Sequence, residues 1–416
     1  MSSFSIALSG LTAASSDLDV TANNIANANT TGFKDSRVEF ADVYASGGAT
    51  ISTNSIGEGA RVASVSQQFT QGNITTTGAN LDLAVSGNGF FTVKDANGYE
   101  YTRNGTFSED NQGNVVTATG QYLQVYPSLA TGGFNTGALA NLNLNTAEST
   151  ANPTSKVAVS LNLPANDKAP AAAFDPTNAA TYNQATATTV YDSLGNAYPA
   201  TLFFVATATP NNWQVYMNVG GQTIPPATGP GKALNFEPNG ATTKVGDANY
   251  VNPILTFPGF NPPSGATQGN SLTFDFTNST QEASTFGVTA ITQDGYAPGQ
   301  LSTVSIDATG VVSAVYTNGR STQLGQIAMA NFPDPAGLAQ LGNTNWSSTY
   351  KSGVPIQGTA GSAGFGNIQS GALESSNVDL TTELVNMITA QRAFQSNAQV
   401  ITTANQLSQT VINITH

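Results

Sequence analysis

Residues 373–416 read LESSNVDLTTELVNMITAQRAFQSNAQVITTANQLSQTVINITH, and their spacing decides how the rest of the chain is read. Leu373, Leu380, Met387, Phe394 and Ile401 recur at every seventh position, with Leu384, Gln391, Ala398, Asn405 and Ile412 as a companion track. That a/d pattern belongs to a helix whose apolar seam meets another helix. Ser376 to Asp379 has the form of a capping box, and Glu374, Asp379 and Glu383 lie near the start, where the helix dipole favours carboxylates. After Arg392 no Asp, Glu, Lys or Arg follows, and the other faces carry Gln395, Asn397, Gln399, Thr402, Gln406 and Gln409. A helix facing water normally carries charged pairs. This one is composed for contact on several sides. A shorter version of the pattern opens the chain, in Leu11, Leu18 and Ile25 with Leu8, Ser15 and Ala22. The two ends are therefore read as helices that pair, either in an assembly of copies or as a plain two-helix hairpin in a monomer.

Between the ends the texture is β. Period-two alternation runs through Leu81-Asp82-Leu83-Ala84-Val85, Val157 to Leu163, Trp213 to Met217 and Leu272 to Phe276. Asn97-Gly98, Asn104-Gly105, Asn239-Gly240, Asp294-Gly295 and Asn318-Gly319 punctuate these runs as hairpin turns do. No alternation of strand and helix appears, which argues against a parallel α/β enzyme fold. The expectation is a mainly β chain with terminal α-helices: antiparallel β domains in series, plus a coiled-coil pair formed by the two ends. The expected divisions are a helical domain from 1–30 and 372–416, and connecting segments at 31–70 and 352–371. A discontinuous β domain follows from 71–146 with 285–351, and an inserted β domain, richer in Pro, Ala and Thr, from 147–284.

Charged residues make up only 9% of the 416-residue chain, against about 25% in ordinary soluble proteins. Asn, Thr, Ser, Gly and Gln take their place, giving a surface that hydrogen-bonds readily and repels its neighbours little. Such a surface suits self-packing, and equally a secreted monomer with a neutral exterior. The net charge of −13 comes with 12 thinly spread Lys and Arg. Nucleic acid and anionic bilayers are therefore not expected as partners, and no run is apolar enough for membrane insertion or a cleavable leader. With no Cys, and His416 as the one histidine, thiolate chemistry, Ser-His-Asp catalysis and His metal sites drop out together. The Asp-rich turns at 95–98, 110–114 and 192–196 read as Asx turns, since they lack the further carboxylates of a calcium loop. No enzyme activity, cofactor or metal is expected.

Ser9-Gly10-Leu11, Leu18-Asp19-Val20, Asn23-Asn24-Ile25-Ala26-Asn27 and Thr31-Gly32-Phe33-Lys34 together resemble the N-terminal signature of bacterial flagellar rod, hook and hook-associated proteins. Leu373 to Leu380, with Gln391 to Ala398, resembles the C-terminal signature of that family. Leu81 to Phe91 and Tyr101-Thr102-Arg103-Asn104-Gly105-Thr106-Phe107 are two further matches. Within the family, the length and the motifs Val190 to Asn196, Asn212 to Tyr216 and Asp294 to Gly299 resemble the hook branch, whereas rod proteins lack the 147–284 insertion.

The resemblance implies a structural subunit of the flagellar hook. It would self-assemble into a flexible helical tube and serve as a universal joint between rod and filament. The terminal helices would line the tube, the discontinuous β domain would form a middle layer and the insertion would stand outermost. It implies assembly roles for Leu8, Leu11, Leu18, Asn23, Asn24, Ile25, Leu373, Leu380, Leu384, Met387, Phe394, Ile401 and Ile412. It further implies export by the flagellar type III route, with Phe4 and Leu8 as the recognition element. The implied partners are further copies of the chain, a hook cap, the distal rod protein and a hook–filament junction protein. A secreted adhesin with calcium-stabilised repeats would instead predict internal repeats and Asp ladders, and neither is found.

Helices without a packing partner are marginal in water. In the isolated subunit, amide hydrogen exchange is expected to be fast in both terminal segments and slow in the β regions; protected termini would contradict this.

Overall fold

The N-terminal heptads fold as α1 (Ser2–Ala26) and the C-terminal heptads as α2 (Leu380–Ile414). They do so in a computed structural model that describes residues 2–43, 57–144, 149–244, 250–266 and 271–414. The cap of α2 differs from the expected box. Asp379 itself caps the helix, its Oδ1 accepting from the backbone N of Thr381 at 2.8 Å and of Thr382 at 3.1 Å, an arrangement worth about 1 kcal/mol. Ser376 stays in extended chain, because Asn377 beside it is tied by its side chain to Asp35 and Gln68.

The chain divides into two compact units. The first comprises 1–145, 303–315 and 321–416 and contains both helices. Its main sheet is built around strand Ser321–Asn331, which pairs antiparallel with Tyr122–Pro127, Phe90–Lys94 and Ile356–Thr359. Leu83, Val85, Phe91, Val93, Leu123, Val125, Ile327 and Met329 fill one core under this sheet. Phe90, Tyr101, Phe332 and Trp346 fill a second, edge-to-face aromatic one. Leu83–Ser86 does not alternate as expected. Leu83, Ala84 and Val85 are all buried, because the strand is covered on both faces.

The second unit, 146–302 with 316–320, is a sandwich of two sheets. Lys156–Pro164 alternates buried and open along its length, as its sequence period requires. Its inward Val157, Val159, Leu161 and Leu163 meet Leu202, Phe204, Trp213, Val215 and Met217 of the facing sheet. Two short pairings of Lys156–Pro164, with Leu272–Asp275 and Thr280–Glu282, are parallel, whereas its pairing with Gly287–Gln293 is antiparallel.

Two expected divisions shift. Strand Gly287–Gln293 pairs with Lys156–Pro164, so the inserted unit runs on to Ser302 rather than ending at 284. Nor are the connecting segments bare linkers. Ser36–Asp42 pairs with Ala60–Gln67, Ile356–Thr359 widens the main sheet, and Asn367–Ser370 pairs with Leu83–Ser86. Gly and Ser dominate these segments, but short apolar residues between them, such as Val62, Ile356 and Ile368, are enough for edge pairing.

The Asp-rich turns are Asx turns. Asp95 Oδ1 accepts from the backbone N of Asn97 and Gly98, Asp110 Oδ1 from Gln112 and Asn114, and Asp192 Oδ1 from Leu194 and Asn196. Burial pushes the Asp192 carboxyl up, but donation by Asn196, Ser264 and Leu194 outweighs it and brings the pKa down to about 2. A carboxyl held below its ordinary value near 3.8 contributes stability in full above that value, and loses it as pH falls toward 2. Acid unfolding of the second unit, followed by the buried Trp213, is expected to show this component, and Asp192→Asn to lack it. Equal acid slopes for the two proteins would contradict the assignment.

Candidate functional site

The two termini meet in an antiparallel pair. Gly10 lies against the Asn397 side chain, where a Cβ would come within 2.8 Å of Asn397 Oδ1, while Asn24 near the other end hydrogen-bonds Glu383. On α1 the buried positions are Ala7, Ala14, Thr21 and Asn24, and on α2 Ala390. The seam therefore keeps the heptad period but runs one residue before the expected Leu8, Ser15 and Ala22 track. Small side chains sit at the contact because they let two backbones approach closely, which a leucine seam would prevent.

The larger apolar residues are consequently left on the flanks. Leu11, Leu18, Ile25, Met387, Phe394 and Ile401 are half-buried, and Phe4, Leu8, Leu380 and Leu384 are exposed at 42–47%. Asn23 is exposed. Leu373 is not helical: it lies in strand Ala372–Glu374, paired with Ile74–Thr76. The side chain of Ile412 is outside the described residues. Val385, Ile388, Val400 and Leu407 extend the open apolar surface of α2.

Below the helices lies a buried cluster of charge. Glu374 accepts from Lys34 Nζ at 2.6 Å on Oε1 and from Arg103 Nη1 at 3.1 Å on Oε2, with all three side chains at most 5% exposed. Glu374 Oε1 also takes the backbone N of Gly72 at 3.0 Å, and its carbonyl takes that of Gly32 at 2.8 Å. Lys34 donates to Thr70 O, and Arg103 Nη2 to Gly87 O, with the guanidinium over the Phe90 ring. Burial pulls the pKa of both cations down, and the charge of Glu374 offsets part of that pull. Gly32 is required here: its φ is +70° and a Cβ would stand 2.6 Å from Asn104 N.

Beside this cluster, Asn24 exchanges two hydrogen bonds with the backbone of Ser36 at 2.8 and 2.9 Å, and Asn377 bridges Asp35 and Thr70. Burial raises the carboxyl pKa of Asp17, Asp35 and Glu383 near the same junction, so at neutral pH the helix root is held against a small electrostatic cost. The sequence motifs 31–34, 101–107 and 373–380 thus converge on one place. Sequence reasoning counted Asn24 among the assembly residues of the terminal helices and took Glu374 as a carboxylate near the start of α2, whereas it lies in strand Ala372–Glu374 at the hub of the cluster; Lys34 and Arg103 it passed over as individual residues. The available signal was scarcity: charges inside motifs of a chain nearly devoid of charge.

Removing the carboxylate leaves two cations facing each other in the interior. Glu374→Gln is expected to cost about 3–5 kcal/mol in urea unfolding. Lys34→Met, which leaves Glu374 paired with Arg103, is expected to cost only roughly 1–3 kcal/mol. The reverse order would show that the carboxylate is not the hub.

Four family models match the chain. They are a flagella basal body rod protein model over residues 4–34, a flagellar hook protein FlgE/F/G D1 domain over 84–166, a flagellar basal body protein FlaE D2 domain over 162–296, and a flagellar basal body rod FlgEFG protein C-terminal model over 369–414. The chain is 40% identical to the flagellar hook protein FlgE of Escherichia coli K12, over 99% of both chains. It is 34% identical to that of Borreliella burgdorferi, over 98% of both. The crystal structure of Helicobacter pylori flagellar hook protein FlgE2 superposes with a TM-score of 0.54 at 14% identity, covering 72% of this chain and all of that one, which supports the fold alone. Taken with the convergence of its signature motifs on the helix root, these matches show that the chain belongs to the flagellar hook protein family, a family of structural proteins of the flagellum rather than of enzymes.

Proposed function

We propose that copies of this chain polymerise through their terminal helices into the flexible tube of the flagellar hook, the helices lining its inside. The observation that carries this reading is the apolar surface left open on the paired helices. Leu380, Leu384, Val385, Ile388, Val400 and Leu407 are all 45–62% exposed on α2. Each has roughly half of the 1.5–3 kcal/mol of a fully buried side chain still to gain. In addition, α2 has 35 residues against 25 in α1. In an antiparallel pair joined at the root, about ten residues of α2, or roughly 15 Å, extend past α1 and need a partner from another copy.

As the universal joint between motor and filament, such a tube must bend at every turn. A nearly charge-free, Thr- and Asn-rich exterior lets neighbouring β units slide without breaking ion pairs. Fixed, dry hydrophobic contacts between those units in the polymer would contradict this. The partners are the hook cap during growth, the distal rod protein below and the hook–filament junction protein above. Export follows the flagellar type III route, and the exposed Phe4 and Leu8 are available for recognition there.

Leu380→Asp and Ile388→Asp are expected to abolish polymerisation while the β-sheet circular dichroism of the subunit is unchanged. Electron microscopy of basal bodies from a strain lacking the gene tests the reading as a whole. Complete rods ending without a hook support it. Truncated rods would assign the chain to the rod, bare hooks to the junction, and intact flagella would remove it from the axis.

A further inference from the structure

The loop between strands Asn345–Ser347 and Ile356–Thr359 holds Tyr350 out into solvent with its whole side chain exposed (104%), followed by Val354 at 80% and Ile356 at 55%. A soluble surface seldom groups apolar side chains in this way without covering them. The loop is nonetheless firmly built. Ser352 is fully buried, its Oγ accepts from Thr349 N at 2.9 Å, and its N donates to Thr349 Oγ1 at 3.1 Å. Thr349 Oγ1 in turn donates to Gly337 O at 2.6 Å. Gly337 lies so close that a Cβ would stand 2.6 Å from Ser352 N. An aromatic side chain on such a base has already met most of the ordering cost of binding.

We propose that this loop is a docking knob for a second copy of the chain, a contact separate from the helix pair that deepens the assembly reading and rests on it. Charge identifies the occupant. Between Asp334 and Glu374 the only charged side chain is Lys351, next to Tyr350, in a chain with 25 acidic and 12 basic residues. A second copy therefore offers a predominantly acidic, amide-rich surface, which an aromatic ring with an adjacent ammonium complements. The neighbouring strand Ala339–Gly342 adds a second handle. It lies at the outer edge of the main sheet, is exposed at all four residues, and carries no charge to discourage pairing.

The chain has no Cys, so the test uses the full-length protein with a benzoylphenylalanine placed at position 350, or at position 407 on α2 as the reference. Irradiation of the polymer is expected to give chain-to-chain adducts from both positions, and from neither when the subunit is dilute and monomeric. Adducts from 407 without any from 350 would overturn the docking knob and leave helix-driven assembly standing. Absence of both would overturn both. An adduct of 350 with a different protein would reassign the knob to that protein. Tyr350→Ala is further expected to slow polymer growth about tenfold and Tyr350→Phe to restore most of it, with the melting temperature of the monomer unchanged in each. Growth at the parent rate in Tyr350→Ala would overturn the proposal.

Discussion

One carboxylate, that of Glu374, ties the start of the chain, its end and the first β unit into a single joint. Isolated in the interior it would be prohibitively costly, and Lys34 or Arg103 alone with it would leave lone pairs or protons unmet. The three together carry one net positive charge, which the carbonyls of Thr70 and Gly87 help to absorb. Replacing such a cluster by hydrocarbon need not lower stability. What hydrocarbon could not do is fix direction. A carboxylate with two oxygens, each committed to a different cation and one also to a backbone N–H, sets the angle at which Ser375 leaves the β unit and hence where α2 begins.

The helices above the joint depend on it for position and on small side chains for contact. Ala7, Gly10, Ala14 and Ala390 contribute little apolar area, so the pair is held more by its root than by its seam. The arrangement suits the assembly proposed above: large apolar residues such as Leu384 and Leu407 are kept off the internal contact and left exposed.

The helices, their heptad period and the sandwich strand Lys156–Pro164 were legible because each rests on a local period that one stretch of sequence carries by itself. The phase of the seam was not. Seven-residue spacing is shared by Leu8-Ser15-Ala22 and by Ala7-Ala14-Thr21, and choosing between them requires knowing how closely the backbones approach. The end of the inserted unit at Ser302 was hidden for another reason. Gly287–Gln293 owes its place to pairing with a strand more than a hundred residues earlier, and nothing in its own composition separates it from its neighbours. The ion cluster combines both difficulties, since Lys34, Arg103 and Glu374 lie in three separate motifs and become a site only when folding superimposes them.

That separation also has a consequence in time. Lys34 and Glu374 are 340 positions apart, and Arg103 and Glu374 are 271 apart. For any chain that emerges from its N-terminus, the lysine appears long before its counter-ion. At ribosomal rates the interval is roughly 20–70 s. Throughout it the joint lacks its central charge, and α1 has only Ser36–Asp42 and Ala60–Gln67 to rest on, with its α2 face uncovered. The last tenth of the chain is therefore the signal that ends that period. A molecule cut short before Glu374 would keep the strands of its main sheet and of its sandwich, yet would lack the joint and α2, on which the proposed assembly rests.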